Sequence, residues 1–140
     1  MTTDDATAAH DANAAFYVAF EARDLDAMSD CWERSDRAAV VHPGWPPQHG
    51  WARVLTTWDA IFSGPEPLHC IVTDERVEVM GHVAVVTCEE QLLQGLHGDS
   101  TADELASARV AATNVFVRDG ADWKMILHHG SPVYPDDPRV

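Results

Sequence analysis

The residues in this chain best suited to chemistry are histidines and carboxylates set into short apolar runs. Val40-Val41-His42-Pro43-Gly44-Trp45-Pro46-Pro47 ends an apolar strand in an imidazole and an indole, so both are delivered to one end of a domain. An imidazole titrates near ~6.5 and takes or gives a proton at neutral pH, which makes His42 the first candidate for a catalytic base. Its alternative is a polar rim residue bonded to a backbone carbonyl. Trp45, in a loop rich in proline and glycine, suits ligand contact better than core packing. Trp51 and Trp58 fall on one helical face and are both expected to look inward, with core packing the commoner reason for such a stripe. His128 and His129 are neighbours on a strand, so they point to opposite faces and only one can enter an interior. Strict alternation groups Trp123, Met125, Leu127 and His129 on one face and Lys124, Ile126 and His128 on the other. Glu89 and Glu90 divide in the same way. A carboxylate that enters an interior has its pKa raised by burial and becomes a second acid–base candidate. Asn114, inside an apolar strand, is expected to be hydrogen-bonded if buried, orienting a ligand carbonyl or bonding a neighbouring side chain.

The 8 histidines raise the question of a metal ion. No HExxH or HxH spacing occurs, and adjacent histidines on a regular strand do not reach one ion, so no metal is expected. A site joining His42 to His128 and an acid such as Glu90 is the remaining alternative. There is no GxGxxG and no P-loop, and no cofactor is expected. The 3 cysteines, Cys31, Cys70 and Cys88, form no CxxC pair and sit in apolar periodic segments, which favours buried inert thiols.

These groups need a scaffold, and the periodicity supplies one. Ala8, Ala12, Ala15, Phe16, Ala19 and Phe20 make a first amphipathic helix, capped by Thr3 or Asp4. Asp24 caps a second, shorter helix with Leu25, Met28 and Trp32 on one face. A strand spans 38–42 and is stopped by prolines. Gly50 opens a third helix, whose stripe is Trp51, Val54, Leu55, Trp58, Ile61 and Phe62. From there the period is that of strands: 68–80, 83–93, 108–118 and 123–134. Turns fall at Gly81-His82 and Asp119-Gly120-Ala121-Asp122, a polar loop spans 95–107, and a loose tail spans 135–140. Helices first and antiparallel strands after are the pattern of an α+β domain. With 140 residues and no internal boundary, a single domain is expected, its core about 6–134.

Acidic residues outnumber basic ones 23 to 9, a formal charge of −14 that repels nucleic-acid phosphates and anionic lipid. Neither nucleic acid nor membrane is expected as a partner. No apolar stretch approaches the ~20 residues that cross a bilayer, and Met1-Thr2-Thr3-Asp4-Asp5 is acidic where a secretory signal is basic. A cytoplasmic protein is expected.

Three segments carry a family resemblance: Phe20-Glu21-Ala22-Arg23-Asp24-Leu25-Asp26; Val41-His42-Pro43-Gly44-Trp45 with Gly50 and Trp58; and Asn114-Val115-Phe116 through Trp123 to His128-His129-Gly130-Ser131-Pro132. In this order the chain resembles the SnoaL-like members of the nuclear transport factor 2-like superfamily, which includes ketosteroid isomerase and the kinase hub domain. The resemblance implies a cone-shaped, curved antiparallel sheet packed against three N-terminal helices around an internal cavity. It implies that His42 stands where the isomerase has its base, that Asn114 stands near its protonated aspartate, and that Phe16, with Tyr17 one residue off register, stands near its tyrosine. Two strong donors to an enolate oxygen are therefore not matched, and ketosteroid isomerisation is not expected. The epoxide hydrolase network of that superfamily has no clear match either, although Arg109, Glu89 and Glu90 lie on neighbouring strands. What the resemblance does imply is a small-molecule pocket for an apolar or aromatic ligand; together with the residues singled out above, its expected lining is Phe16, Tyr17, Trp45, Trp58, Glu90, Asn114 and His128. If the protein is an enzyme, the compatible chemistry is proton transfer next to a carbonyl with His42 as base, of isomerase, cyclase or dehydratase type. The alternative is a non-enzymatic oligomerisation or ligand-binding module like the kinase hub. A homodimer is implied under either reading.

Overall fold

The computed structural model describes residues 4–65, 68–94 and 106–134. Three helices come first: α1 (Asp5–Ala22), α2 (Leu25–Asp30) and, after two short strands, α3 (Trp51–Phe62). The strands are β1 (Ala39–Val41), β2 (Gln48–His49), β3 (Leu68–Met80), β4 (Val83–Gln94), β5 (Ala106–Asp119) and β6 (Asp122–Pro132). They form one curved sheet in the order β2-β1-β6-β5-β4-β3. All neighbours are antiparallel except β1 and β6, which run parallel and place Val40 beside His128. The expected α+β architecture is therefore present, with β1 shorter than its apolar run and β2 an addition that sequence periodicity did not mark. Residues 106 and 107 belong to β5 rather than to the polar loop, while 95–105, the tail 135–140 and the Thr3 cap lie outside the described residues. Among those described, no helix is long and apolar enough to cross a membrane.

Local chemistry explains the helix junctions. Arg23 ends α1 in the left-handed region (φ 55). Its guanidinium turns across to the end of α3, donating to the Phe62 carbonyl from Nε at 3.0 Å and from Nη2 at 2.7 Å, and also to the Gly64 carbonyl. A cation on the exposed carbonyls of a helix C-terminus is favourable on both hydrogen-bonding and dipole grounds. Asp24 then caps α2 by accepting from the Ala27 amide at 3.0 Å. The α2 helix stops at Asp30, so Trp32 is not on its last turn. Instead it bridges to Met125 of β6, and its indole N–H donates to the Met28 sulfur at 3.4 Å.

The helices cover the inner face of the sheet. Phe16, Met28, Val54 and Trp58 are buried against Ala84, Val86, Ala112, Phe116 and Met125. On α1 the buried face is rotated from the alanine stripe: Ala15 is exposed, while Asn13 and Tyr17 are buried. The register shifts at three places among the described strands, one of them where Leu92 pairs with Ala108 and Leu93 with Ala106. On β3, Asp74 (φ 58) and Glu75 fall between Thr73 and Arg76 where β4 has one residue, and on β6, Ile126 has no partner between Val115 and Phe116. An extra residue shifts the two-residue period and bends the strand. In β6 it brings Trp123, Met125 and His128 to the same face, which corrects the strict alternation that set His128 opposite them.

Gly130 records how closely the loop after β1 approaches the sheet. A Cβ there would lie 2.9 Å from Val110 Cγ1 and 3.2 Å from Pro43 Cγ. Neither a β-branched side chain nor a proline ring yields easily, so Gly130→Ala is expected to lower unfolding free energy by about 1–3 kcal/mol in urea titration. Unchanged stability would mean that His42-Pro43 is not seated on β5 and β6 as described.

Candidate functional site

Five polar side chains from four elements meet behind α1. Tyr17 comes from α1, Glu90 from β4, Asn114 from β5 and His128 from β6, with Asn13 one turn before Tyr17 on α1; all five are buried. The Tyr17 hydroxyl donates to Glu90 Oε2 at 2.5 Å. Asn114 Nδ2 donates to the Tyr17 hydroxyl at 3.1 Å and to Asn13 Oδ1 at 2.8 Å. With both amide hydrogens committed, Asn114 Oδ1 accepts, and the His128 Nδ1–H 2.6 Å away donates to it. His128 Nε2 is then the lone-pair nitrogen, 4.0 Å from Glu90 Oε2. A proton acceptor and a carboxyl group thus sit side by side, with a gap that one hydroxyl can bridge.

His42 stands next to this group. The Thr57 hydroxyl donates to the Val54 carbonyl at 2.7 Å, so its oxygen accepts the Nε2–H of His42 at 2.9 Å. That leaves Nδ1 as the accepting nitrogen of His42. The two imidazole centroids are 6.1 Å apart, and Trp58 lies against both, at 4.7 Å from His42 and 5.7 Å from His128. Phe16, Phe20 and Phe62 close around the Trp58 ring at 5.6 to 5.8 Å, mostly edge to face. The Trp58 indole N–H is buried and has no partner among the described residues.

Burial dominates the electrostatics. It holds the His42 imidazole down to about 4 and that of His128 to about 3, the latter helped by the neighbouring imidazoles of His42 and His129. It raises the Glu90 carboxyl above the ordinary carboxylate range, against the Tyr17 hydrogen bond that favours ionisation. The thiols of Cys31 and Cys88 are pushed up to about 11 and that of Cys70 higher still, so none is a ready thiolate nucleophile at neutral pH.

Of the residues singled out in the sequence, Phe16, Tyr17, His42, Trp58, Glu90, Asn114 and His128 come together in this interior. Trp45 does not. It is 40% exposed and sets its edge on His42 from outside, at 5.1 Å. Trp51, expected to look inward with Trp58, is half-buried at the other end of α3, 6.0 Å from Trp32. His129 is exposed, and Glu89 pairs with Arg109 at 2.7 Å on the outer side of the sheet. Sequence reasoning missed Asn13 and Thr57. Asn13 lies one helical turn before Tyr17, a spacing that could have flagged a polar pair on one face. Among the described residues no group of three or more His, Cys, Asp or Glu is set to hold a metal ion.

The buried imidazoles make stability depend on pH. Below about pH 6.5 the unfolded histidines bind protons that the folded ones do not, so each contributes fully above that value and progressively less as pH falls toward 4. Glu90 has the opposite sign, since its raised pKa lets the folded state bind a proton first. Two imidazoles outweigh one carboxyl, so urea midpoints are expected to fall from pH 7 to 4.5, by up to ~1.4 kcal/mol per pH unit for each histidine. His42→Gln should flatten that dependence. A His42→Gln curve parallel to that of the parent would show that His42 is not held neutral.

Residues 9–135 match the model of the SnoaL-like domain. Among solved structures, the chain is similar to a candidate dehydratase of the nuclear transport factor 2-like family from Streptomyces avermitilis, with 37% identity, 95% of this chain and 99% of that one covered, and a TM-score of 0.82. It is also similar to a candidate association domain of calcium/calmodulin-dependent protein kinase type II from Thiobacillus denitrificans, with 35% identity, 88% and 93% covered, and a TM-score of 0.72. A curated relative, the F-box protein SKIP8 of Arabidopsis thaliana, is 25% identical over 128 residues, which are 91% of this chain and 51% of that protein. The chain thus spans about half the length of that relative. With its family model covering nearly every element of the fold, the chain belongs to the SnoaL-like domain family, of nuclear transport factor 2-like fold.

Proposed function

We propose that this protein binds a small, largely apolar carbonyl compound in the interior behind α1 and transfers a proton next to the carbonyl, in a dehydration or isomerisation without a cofactor. The observation that carries the reading is the buried pair of His128 Nε2 and Glu90, 4.0 Å apart. In a dehydration, Nε2 takes the proton from the carbon beside the carbonyl. The electron pair of that C–H bond becomes the new C=C bond as the β-hydroxyl leaves, protonated by the Glu90 carboxylic acid. Water departs, and the proton on His128 returns to Glu90, restoring both. A carboxyl whose pKa burial raises is better suited to give that proton, and an imidazole whose pKa burial lowers to take the other. Position in the chain singled out His42 as the base; its Nδ1, at the flank of Trp58, is assigned here to a ligand contact. The Trp58 indole N–H, a buried donor without a described partner, offers a second contact to a ligand oxygen. Trp58 and Phe16 supply the apolar walls. The similarity to a candidate dehydratase at 37% identity points the same way.

The second reading is a non-enzymatic assembly module, favoured by 35% identity to a candidate kinase association domain. On the outer face of the sheet, Val85, Val115 and Leu127 align across β4, β5 and β6, an apolar row that suits a homodimer interface under either reading.

The test is a panel of β-hydroxy ketones and β,γ-unsaturated ketones, followed by the ultraviolet absorbance of the conjugated enone. Wild type is expected to turn over at least one member, and His128→Gln and Glu90→Gln to lose about 100-fold or more in kcat with the fold intact. Turnover indifferent to both substitutions would overturn the assignment. An inert protein that assembles into a ring larger than a dimer by native mass spectrometry would favour the module.

A further inference from the structure

Resting on the reading of His128 Nε2 as the proton acceptor, we propose that Glu75 and Asn13 are positioning residues that decide which nitrogen of His128 carries its hydrogen. The β3 bulge turns Glu75 toward α1, where it is half-buried beside the interior group but not part of it. His10 Nδ1 bonds Glu75 Oε1, leaving Oε2 for Asn13. A carboxylate only accepts, so the 3.0 Å contact to Oε2 obliges Asn13 to point its Nδ2 outward. Asn13 Oδ1 then faces inward, and Asn114 meets it with Nδ2 at 2.8 Å. Asn114 must present Oδ1 on its other side, and the His128 nitrogen at 2.6 Å must be the one with the hydrogen. Each step follows from the one before.

A side-chain amide can be turned end for end at almost no cost in shape, and a neutral imidazole can carry its hydrogen on either nitrogen. The chain Asn13–Asn114–His128 would be self-consistent in either sense if its ends were free, the Tyr17 hydroxyl turning from Glu90 to Asn114 Oδ1 in the reverse one. In the reverse sense the Asn114 amide donates to His128 Nδ1, and Nε2–H, not a lone pair, faces Glu90. Tyr17 can turn its hydrogen to either side, whereas the Glu75 carboxylate at the outer end only accepts, and so ties the buried chain to a definite sense. Asn13 and Asn114 are 1% and 0% exposed, so no bulk solvent is at hand to satisfy an amide set the wrong way. The charge of a partly exposed glutamate is in this way converted into the proton-accepting state of a histidine two amides away.

The test reads the His128 ring directly, from long-range 1H–15N spectra of the full chain at neutral pH, with the His128 signals assigned by their loss in His128→Gln. In wild type Nδ1 is expected to be the hydrogen-bearing nitrogen and Nε2 the bare one. Glu75→Lys replaces an acceptor by a donor-only group and is expected to reverse both amides and invert the two nitrogen signals. Adding Asn13→Asp to Glu75→Lys pairs the new charge and returns an acceptor-only group to Asn114, so the wild-type pattern should come back. Glu75→Gln, the gentler change, should show both tautomers. Wild-type His128 with its hydrogen on Nε2 overturns the proposal, whatever the variants do. So does a folded Glu75→Lys protein whose His128 signals are unmoved. Turnover is a separate readout. If the tautomer responds as expected while His128→Gln keeps full activity, the proton-transfer reading fails and the relay stands.

Discussion

The site depends on one unpaired residue in β6. Ile126 has no partner in β5, and the slip it introduces puts His128 on the inner face together with Trp123 and Met125. Were the ladder regular, His129 would enter the interior and His128 would face outward. Asn114 would then stand opposite Leu127 and lose its imidazole partner. The same bulge bends the strand over the helices, adding to the irregularities of the other ladders. The close seat of Pro43 on Gly130 fixes the end of β1 next to this point and so holds His42 within reach of His128.

Inside this curve the buried polar groups give nearly every hydrogen a defined destination. Tyr17 donates to Glu90, Asn114 to Tyr17 and Asn13, and His128 to Asn114. His42 donates to the Thr57 hydroxyl, whose own hydrogen goes to the Val54 carbonyl. A buried polar group left unmatched costs about 1–3 kcal/mol, so a set this complete has few alternative arrangements. The consequence is two neutral imidazoles with lone pairs in known places and a carboxyl biased toward its acid form. Such a set is prepared for moving protons, not for holding net charge. The indole N–H of Trp58 stands outside the pattern, at the centre of the aromatic group.

Much of this was legible in the residues. The helical stripes and the change to a period of two marked three helices and four long strands. The resemblance carried by the loop from Val41 to Trp45 and by the last two strands pointed to the fold and to most of the interior residues. What could not be read is where the period breaks. A bulge leaves no signature in a run such as Met125-Ile126-Leu127-His128, because any of the apolar residues can be the unpaired one. Strict alternation therefore groups His128 with Lys124 and Ile126, whereas the resemblance implies that it lines the pocket. The alanine stripe of α1 likewise drew attention from Asn13 and Tyr17, whose burial is decided by partners on β4 and β5 about 73 to 101 residues away. The loop that holds Trp45 suggests a ligand contact, and only the fold shows that it covers His42 from outside.

The most direct test of this account is the titration of His128 itself, followed through its ring-carbon proton resonance. The account predicts a ring that stays neutral to about pH 4 or below, since burial among Phe16, Trp58 and Asn114 opposes its charge. A His128 that titrates near the ordinary ~6.5 would mean a solvated or charge-paired ring. That would contradict a buried interior built around a neutral imidazole and the carboxyl of Glu90.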